Sequence, residues 1–160
     1  MILRDVKNLK ELYEKDYLLW IEENLKFIEE GFYDCVDWDN LKEEIKSMGE
    51  RHVESCISYL AIILEHLYKI DNYKQFTQGG LERGGKGWIK SVKNARYRLN
   101  LLYKKYPSLK NKAKDRFDEA WEEAKPLIVE SLYNLGVDIE IEELPEKCPY
   151  SYEETINREV

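Results

Sequence analysis

Few side chains in this sequence could carry chemistry, and their spacing keeps the best candidates apart. There are only two histidines, His52 and His66. On one helix, fourteen residues would place them about 21 Å apart, which is too far to share a metal ion. Neither follows the Glu-x-x-His pattern of a di-iron helical bundle. We therefore expect no metal site, no cofactor and no catalytic residue of a known class.

Acidic side chains occur in adjacent pairs, and one of them has a candidate partner. Neighbouring residues on a helix point about 100° apart, so such a pair is typical of a solvated face and not of acid–base chemistry. Glu44 differs because it lies beside the apolar positions Leu41 and Ile45. We expect Glu44 to form an ion pair with Arg96 that fixes the register of two helices.

Positive charge is concentrated between Arg83 and Arg116, a segment that contains 12 Lys and Arg residues and a single acidic residue. The whole chain nevertheless has a net charge of -7. On the helix predicted here, four residues face away from the apolar stripe and could follow the phosphates of a polyanion: Lys90, Lys93, Tyr97 and Lys104. The alternative is neutralisation of segment 83–116 by acidic helices of the same chain or of a second subunit.

The elements that position these residues are helices. Apolar residues from Leu41 to Ile70 recur at a mean spacing of about 3.6 residues, which predicts a long helix after an N-cap at Asp37. Gly49 is expected to kink or split it. The pattern predicts three further long helices: Asp16 to Gly31, Trp88 to Tyr106, and Leu109 to Gly136.

These elements predict one all-α domain over residues 1–160. The expected architecture is a helical bundle of four long helices plus a short C-terminal helix that begins at Ser151. Residues 71–87 hold five of the eight glycines and predict a mobile loop, without the Gly-Lys-Ser/Thr ending of a phosphate-binding loop. Residues 137–160 are expected to form a C-terminal arm, whose first part, Val137 to Leu144, is a weak strand or extended chain.

Composition indicates a cytoplasmic protein. The apolar stretch from Cys56 to Ile70 is too short to cross a bilayer, and the first residues lack the apolar run of a signal peptide. The 3 cysteines form no C-x-x-C pair, so we expect reduced thiols. An acidic chain does not suggest general affinity for membranes or nucleic acid.

An ordered set of residues resembles the bacterial domain-of-unknown-function family 29 over roughly Tyr13 to Ile156. The set consists of Tyr13, Asp16, Tyr17 and Trp20; Asp37, Asn40-Leu41-Lys42-Glu43-Glu44-Ile45 and Gly49; Leu60, Leu64, His66, Leu67 and Lys69; Trp88, Val92 and Arg96; Pro107-Ser108-Leu109; and Cys148-Pro149-Tyr150-Ser151. Gly87 replaces the serine usual before the family's tryptophan. The resemblance implies an all-α fold and no known activity. It draws attention to four polar residues beside apolar stripes, a candidate structural cluster of Asn40, Glu44, His66 and Arg96.

Three hypotheses about function follow. The first is a non-enzymatic protein–protein interaction module that works through a helical face and pairs with itself or with another protein. The second is binding of nucleic acid or another polyanion through segment 83–116. The third is an enzyme with a polar site around Glu44, His66 and Arg96. We expect a homo-oligomer with no membrane partner.

Overall fold

The computed structural model describes the backbone of residues 2–77 and 83–160 and the side chains of residues 9–75 and 85–160. Within those ranges it contains helices and no strand, which confirms the predicted all-α fold. The α-helices are α1 (Ile2–Lys15), α2 (Tyr17–Glu30), α3 (Trp38–Asn72), α4 (Arg83–Lys105), α5 (Leu109–Asp115), α6 (Phe117–Asn134) and α7 (Tyr152–Asn157). Short 3-10 helices cover Tyr33–Cys35, Lys74–Thr77 and Ile141–Glu143.

The chain divides into two compact units, Met1–Glu50 and Arg51–Val160. We call them the first and the second unit. Helices α1 and α2 belong to the first unit, α4 to α7 belong to the second, and α3 contributes residues to both. The single domain that the sequence predicts stays a prediction, which the cooperativity of unfolding tests.

Helix α2 begins and ends where the sequence predicts. The Asp16 carboxylate accepts a hydrogen bond from the Leu19 N–H at 3.1 Å and so caps the first turn. Gly31 ends the helix with φ of 80°, a conformation that costs glycine little. The next N–H, that of Phe32, then donates to the Phe27 carbonyl at 2.8 Å and closes the last turn.

Helix α3 begins after Asp37 as predicted, but Gly49 does not split it. The helix continues from Trp38 to Asn72 over 35 residues. Glycine lowers helix propensity by about 1 kcal/mol relative to alanine, a cost that neighbouring turns can absorb. The boundary between the two units falls one residue later, between Glu50 and Arg51.

Three other details differ from the sequence prediction. Helix α1 was not predicted, and the helix expected from Leu109 to Gly136 is divided at Arg116 into α5 and α6. Both ends of the predicted loop 71–87 are helical, since α3 extends to Asn72 and α4 starts at Arg83. The remainder of that loop, residues 78–82, lies outside the described residues.

The second unit has a continuous apolar core built from α3, α4, α5 and α6. The predicted C-terminal arm packs against it as irregular chain, a 3-10 helix and α7, with Leu144, Tyr150 and Tyr152 buried. The Trp121 indole N–H donates to the Pro145 carbonyl at 2.9 Å and ties this segment to α6. Of the described side chains in the first unit, only four apolar ones are buried: Leu9, Trp20, Cys35 and Val36.

Candidate functional site

Asn40 belongs to a buried polar network around Asp37 in the first unit. The Asp37 carboxylate accepts from the Trp20 indole N–H at 3.0 Å and from the Asn40 amide at 2.6 Å. The side chain of Asn24 accepts from the Asp37 N–H at 2.9 Å and donates to the Trp20 carbonyl at 2.8 Å. Because these groups are nearly excluded from water, their mutual hydrogen bonds hold the start of α3 against α2.

Glu44 is held by two tyrosines. Its carboxylate accepts from the Tyr13 hydroxyl at 2.6 Å and from the Tyr17 hydroxyl at 2.7 Å. The Tyr17 ring stacks on Trp20 with 5.6 Å between centroids, and the Tyr13 ring meets Trp20 edge-on at 4.9 Å. The bond to Glu44 is the main reason that the pKa of Tyr13 is raised to about 12. Glu44 therefore joins α1 and α2 to α3.

Arg96 fastens the C-terminal segment of the second unit. Its guanidinium donates to the backbone carbonyls of Thr155 at 2.9 Å, Arg158 at 2.7 Å and Glu154 at 3.4 Å. Carbonyls at the end of a helix carry partial negative charge and lack helical partners, so an arginine suits them. The hydrogen bonds described for Glu44 join it to tyrosines of the first unit, and those of Arg96 join it to carbonyls of the second. The expected ion pair of Glu44 with Arg96 stays a prediction.

His66 lies in a buried cluster around Lys69, where α3, α4 and α6 meet. The Lys69 side chain is 1% exposed, and its ammonium donates to Glu65 Oε1 at 2.9 Å and to Ser131 Oγ at 2.5 Å. The same ammonium lies 4.9 Å from the centroid of the Trp88 ring. A buried ammonium group needs such partners to offset its loss of water, and Lys69 has three.

The environment of His66 favours its neutral form. Burial, and then the positive charge of Lys69, lower the pKa of His66 from 6.5 to about 4. Its Nε2 lies 3.9 Å from Glu65 Oε2, and its buried Nδ1 has no hydrogen-bond partner in the described part of the protein. The arrangement is that of a neutral core histidine beside a lysine–glutamate pair.

Of the four residues of the predicted polar cluster, Asn40 and Glu44 belong to the first unit and bind different partners there. His66 and Arg96 belong to the second unit, where they likewise have different neighbours. Surface grooves of about 490, 490 and 230 Å³ indent the described residues, and none of these three is lined by Glu44, His66 or Arg96. Among the described residues there is also no group of three or more potential metal ligands.

The predicted polyanion-binding residues lie on one exposed face of α4, opposite its buried stripe of Trp88, Val92, Ala95 and Leu99. With the helical repeat of 3.6 residues, this face also includes Lys86 and the half-exposed Leu101. We call the set the α4 face: Lys86, Lys90, Lys93, Tyr97, Leu101 and Lys104. One groove of 490 Å³ is lined by its C-terminal part together with Asn100, Tyr103 and Lys110.

Within the described residues, no direct ion pair neutralises the charge of the α4 face. In residues 85–105, no lysine or arginine is within ion-pair distance of an acid of the described chain. Farther on, segment 83–116 does form ion pairs among the described residues, such as Lys114 with Glu153 at 3.5 Å and Arg116 with Glu119 at 2.8 Å. The lysines of the α4 face remain available to a partner outside the chain.

Fold and site together define a helical protein whose polar side chains mainly fasten its own elements. The family described as Domain of unknown function DUF29 matches residues 12–160, and the chain belongs to that family. A search of curated proteins found no match, and a search of solved structures found none. Among the described residues, no helix is both long and apolar enough to cross a membrane.

Proposed function

We propose that this protein is a non-enzymatic protein–protein interaction module that works through exposed helical faces. The observation that carries the proposal is an excess of uncovered apolar side chains in the first unit. Among the described residues, ten of the fourteen exposed large apolar side chains belong to it: Tyr17, Leu18, Leu19, Ile21, Leu25, Phe32, Tyr33, Trp38, Ile45 and Met48. Exposed apolar patches in soluble proteins mark interaction sites.

Helix α2 illustrates how such a surface arises. Trp20 and Asn24 are buried, yet Leu18 is 71% exposed and Leu25 is 51% exposed on the opposite side. A helix that needs only one apolar face for its own fold gains nothing internally from a second one. The second face therefore supports a role in contacting a partner.

A cytoplasmic location fits this proposal. Cys35, Cys56 and Cys148 are free thiols. Burial raises the pKa of both Cys56 and Cys148 to about 11, so these two thiols are poor nucleophiles. Unpaired cysteines are typical of reducing compartments.

A second candidate function, polyanion binding, is favoured by the α4 face. Tyr97 is 65% exposed between lysines that have no ion-pair partner among the described residues. Exposed aromatic rings and lysines together suit stacked bases and phosphates. Gel shifts with single- and double-stranded nucleic acid, repeated with the Lys90→Glu/Lys93→Glu variant, test it, and a shift that the variant retains would refute it.

The interaction proposal can be tested by site-specific photo-crosslinking in cells that express the chain. A benzophenone side chain at Leu18 should give a discrete covalent adduct with one protein. The same group at Tyr133, which is 68% exposed in the second unit, serves as the control and should give none. Equal labelling at both positions, or only a smear at Leu18, would contradict the proposal.

A further inference from the structure

We infer that the partner is a second copy of this chain, with α2 of one copy docked on the α4 face of the other. The inference rests on the proposed interaction function and names its partner. The two helices carry surfaces of opposite charge and similar apolar content. Two exposed helical faces of opposite charge favour each other as binding partners.

The exposed side of α2 is apolar and acidic. Leu18, Glu22, Leu25 and Glu29 are all exposed and follow one another at steps of 4, 3 and 4 residues. At 100° per residue these positions fall within an arc of about 60°, so they form a single stripe. We call this stripe the α2 face. Neither glutamate has an ion pair within the described chain.

The α4 face is the basic counterpart. Helix α4 contains no acid, and Lys93, Tyr97, Leu101 and Lys104 are exposed at steps of 4, 4 and 3 residues. Lys93 and Lys104 are eleven positions apart, as are Leu18 and Glu29. Each span is therefore about 16 Å long, which is three helical turns. In antiparallel packing over this length, Leu25 would oppose Tyr97 and Glu29 would oppose Lys93, while Glu22 would lie one helical turn from Lys104.

A second copy explains both faces better than a nucleic acid does. A nucleic acid would use the lysines and Tyr97 but would repel Glu22 and Glu29 and leave the apolar α2 face uncovered. A second copy of the chain offers each of the two faces a complementary partner. The first unit has 14 acids and 7 bases, so its charge also suits a basic partner.

Charge exchange tests this pairing. We would measure the mass in solution, by sedimentation velocity at low and high salt, for the variants Glu22→Lys/Glu29→Lys and Lys93→Glu/Lys104→Glu. Each should raise the dissociation constant of self-association about 100-fold, because like charges would then face one another. An equimolar mixture of both variants, and a chain carrying all four changes, should associate again. High salt should weaken the wild-type complex.

Control variants make the same changes in net charge elsewhere. Glu130→Lys/Glu142→Lys and Lys112→Glu/Lys147→Glu alter exposed residues outside both faces and should associate like the wild type. A wild-type chain that is monomeric at every concentration would overturn the inference, and so would a mixture that stays monomeric.

The crosslinking experiment separates this inference from the proposed function. An adduct at Leu18 of twice the chain's mass supports both. An adduct with a different protein keeps the interaction function and overturns self-pairing. No discrete adduct, combined with a nucleic-acid gel shift that only Lys93→Glu/Lys104→Glu abolishes, would overturn both and favour polyanion binding.

Discussion

Replacing Glu65 by glutamine should strongly destabilise the second unit. Glu65 is the carboxylate partner of Lys69, which is 1% exposed and cannot reach solvent. The substitution keeps the size of the side chain and one hydrogen-bond acceptor, but it removes the negative charge. Lys69 would then be a buried cation with only Ser131 and the Trp88 ring beside it.

The magnitude follows from the geometry of the pair. At an effective dielectric of about 20, unit charges at the observed 2.9 Å attract by about 6 kcal/mol. Much of this attraction offsets the desolvation of the two ions. Removing one partner leaves the other desolvated and uncompensated, so the expected loss of unfolding free energy is about 3–5 kcal/mol. Adding Lys69→Met removes the uncompensated charge. The double variant Glu65→Gln/Lys69→Met should therefore have a free energy of unfolding at least about 2 kcal/mol higher than Glu65→Gln alone.

Denaturant unfolding followed by the fluorescence of the buried tryptophans measures these losses. The matched control is Glu43→Gln on the same helix, since Glu43 pairs with Lys46 at 3.3 Å and their side chains are 66% and 74% exposed. An exposed pair contributes less than about 1 kcal/mol, so this variant should unfold almost like the wild type. Equal losses for Glu65→Gln and Glu43→Gln would refute the reasoning, as would a Glu65→Gln/Lys69→Met variant less stable than Glu65→Gln.

Three further predictions concern pH, helix propensity and the C-terminal segment. Between about pH 6.5 and 4 the unfolded chain binds a proton at His66 that the folded chain does not, so unfolding free energy should fall by about 3 kcal/mol as pH falls through this window. Denaturant titrations at both pH values should show this loss removed in His66→Gln and kept in His52→Gln. A Cβ at Gly49 would meet no atom within 4 Å, so Gly49→Ala should raise the thermal midpoint, by the equivalent of about 0.5–1 kcal/mol; a lower midpoint would contradict this. Arg158 donates to both oxygens of Asp71 and is the main reason that the pKa of Asp71 is lowered. In Arg158→Met, NMR titration should show that pKa returning upward, and amide exchange of residues 144–160 should accelerate about 10- to 100-fold; unchanged exchange would show that this pair does not fasten the segment.

The sequence predicted the helices well because local signals set them. Asp16, Asp37 and Ser151 are N-caps in the structure, and Gly31 is a left-handed helix end. These signals act within a few residues and need no tertiary partner. The pattern for α1 is equally visible, since apolar residues 2, 6, 9 and 13 are spaced at helical steps.

Side-chain partners are harder to predict because polar residues have many equally suitable partners along the chain. The described hydrogen bonds of Glu44 come from two tyrosines, whereas Arg96 binds backbone carbonyls, which have no sequence signature. The pair of Glu65 and Lys69 could have been found, because an acid and a base four residues apart lie on the most apolar helix. Its contact with Ser131 depends on the packing of α6 and could not.

The residues that carry the family resemblance mostly build the two units, and this separates scaffold from function. In the first unit, the bond of Trp20 to Asp37 joins α2 to the start of α3, and Glu44 joins α3 to α1. In the second unit, Lys69 joins α3 to α6, and Arg96 joins α4 to the C-terminal segment. None of the residues of the α2 and α4 faces belongs to that set. If the faces were merely by-products of folding, exchanging their charges would alter neither mass nor stability. If the two faces are the interaction surfaces, each charge-reversed variant should lose self-association and a mixture of the two should regain it. The variants must at the same time unfold like the wild type, because the residues that hold each unit together are unchanged.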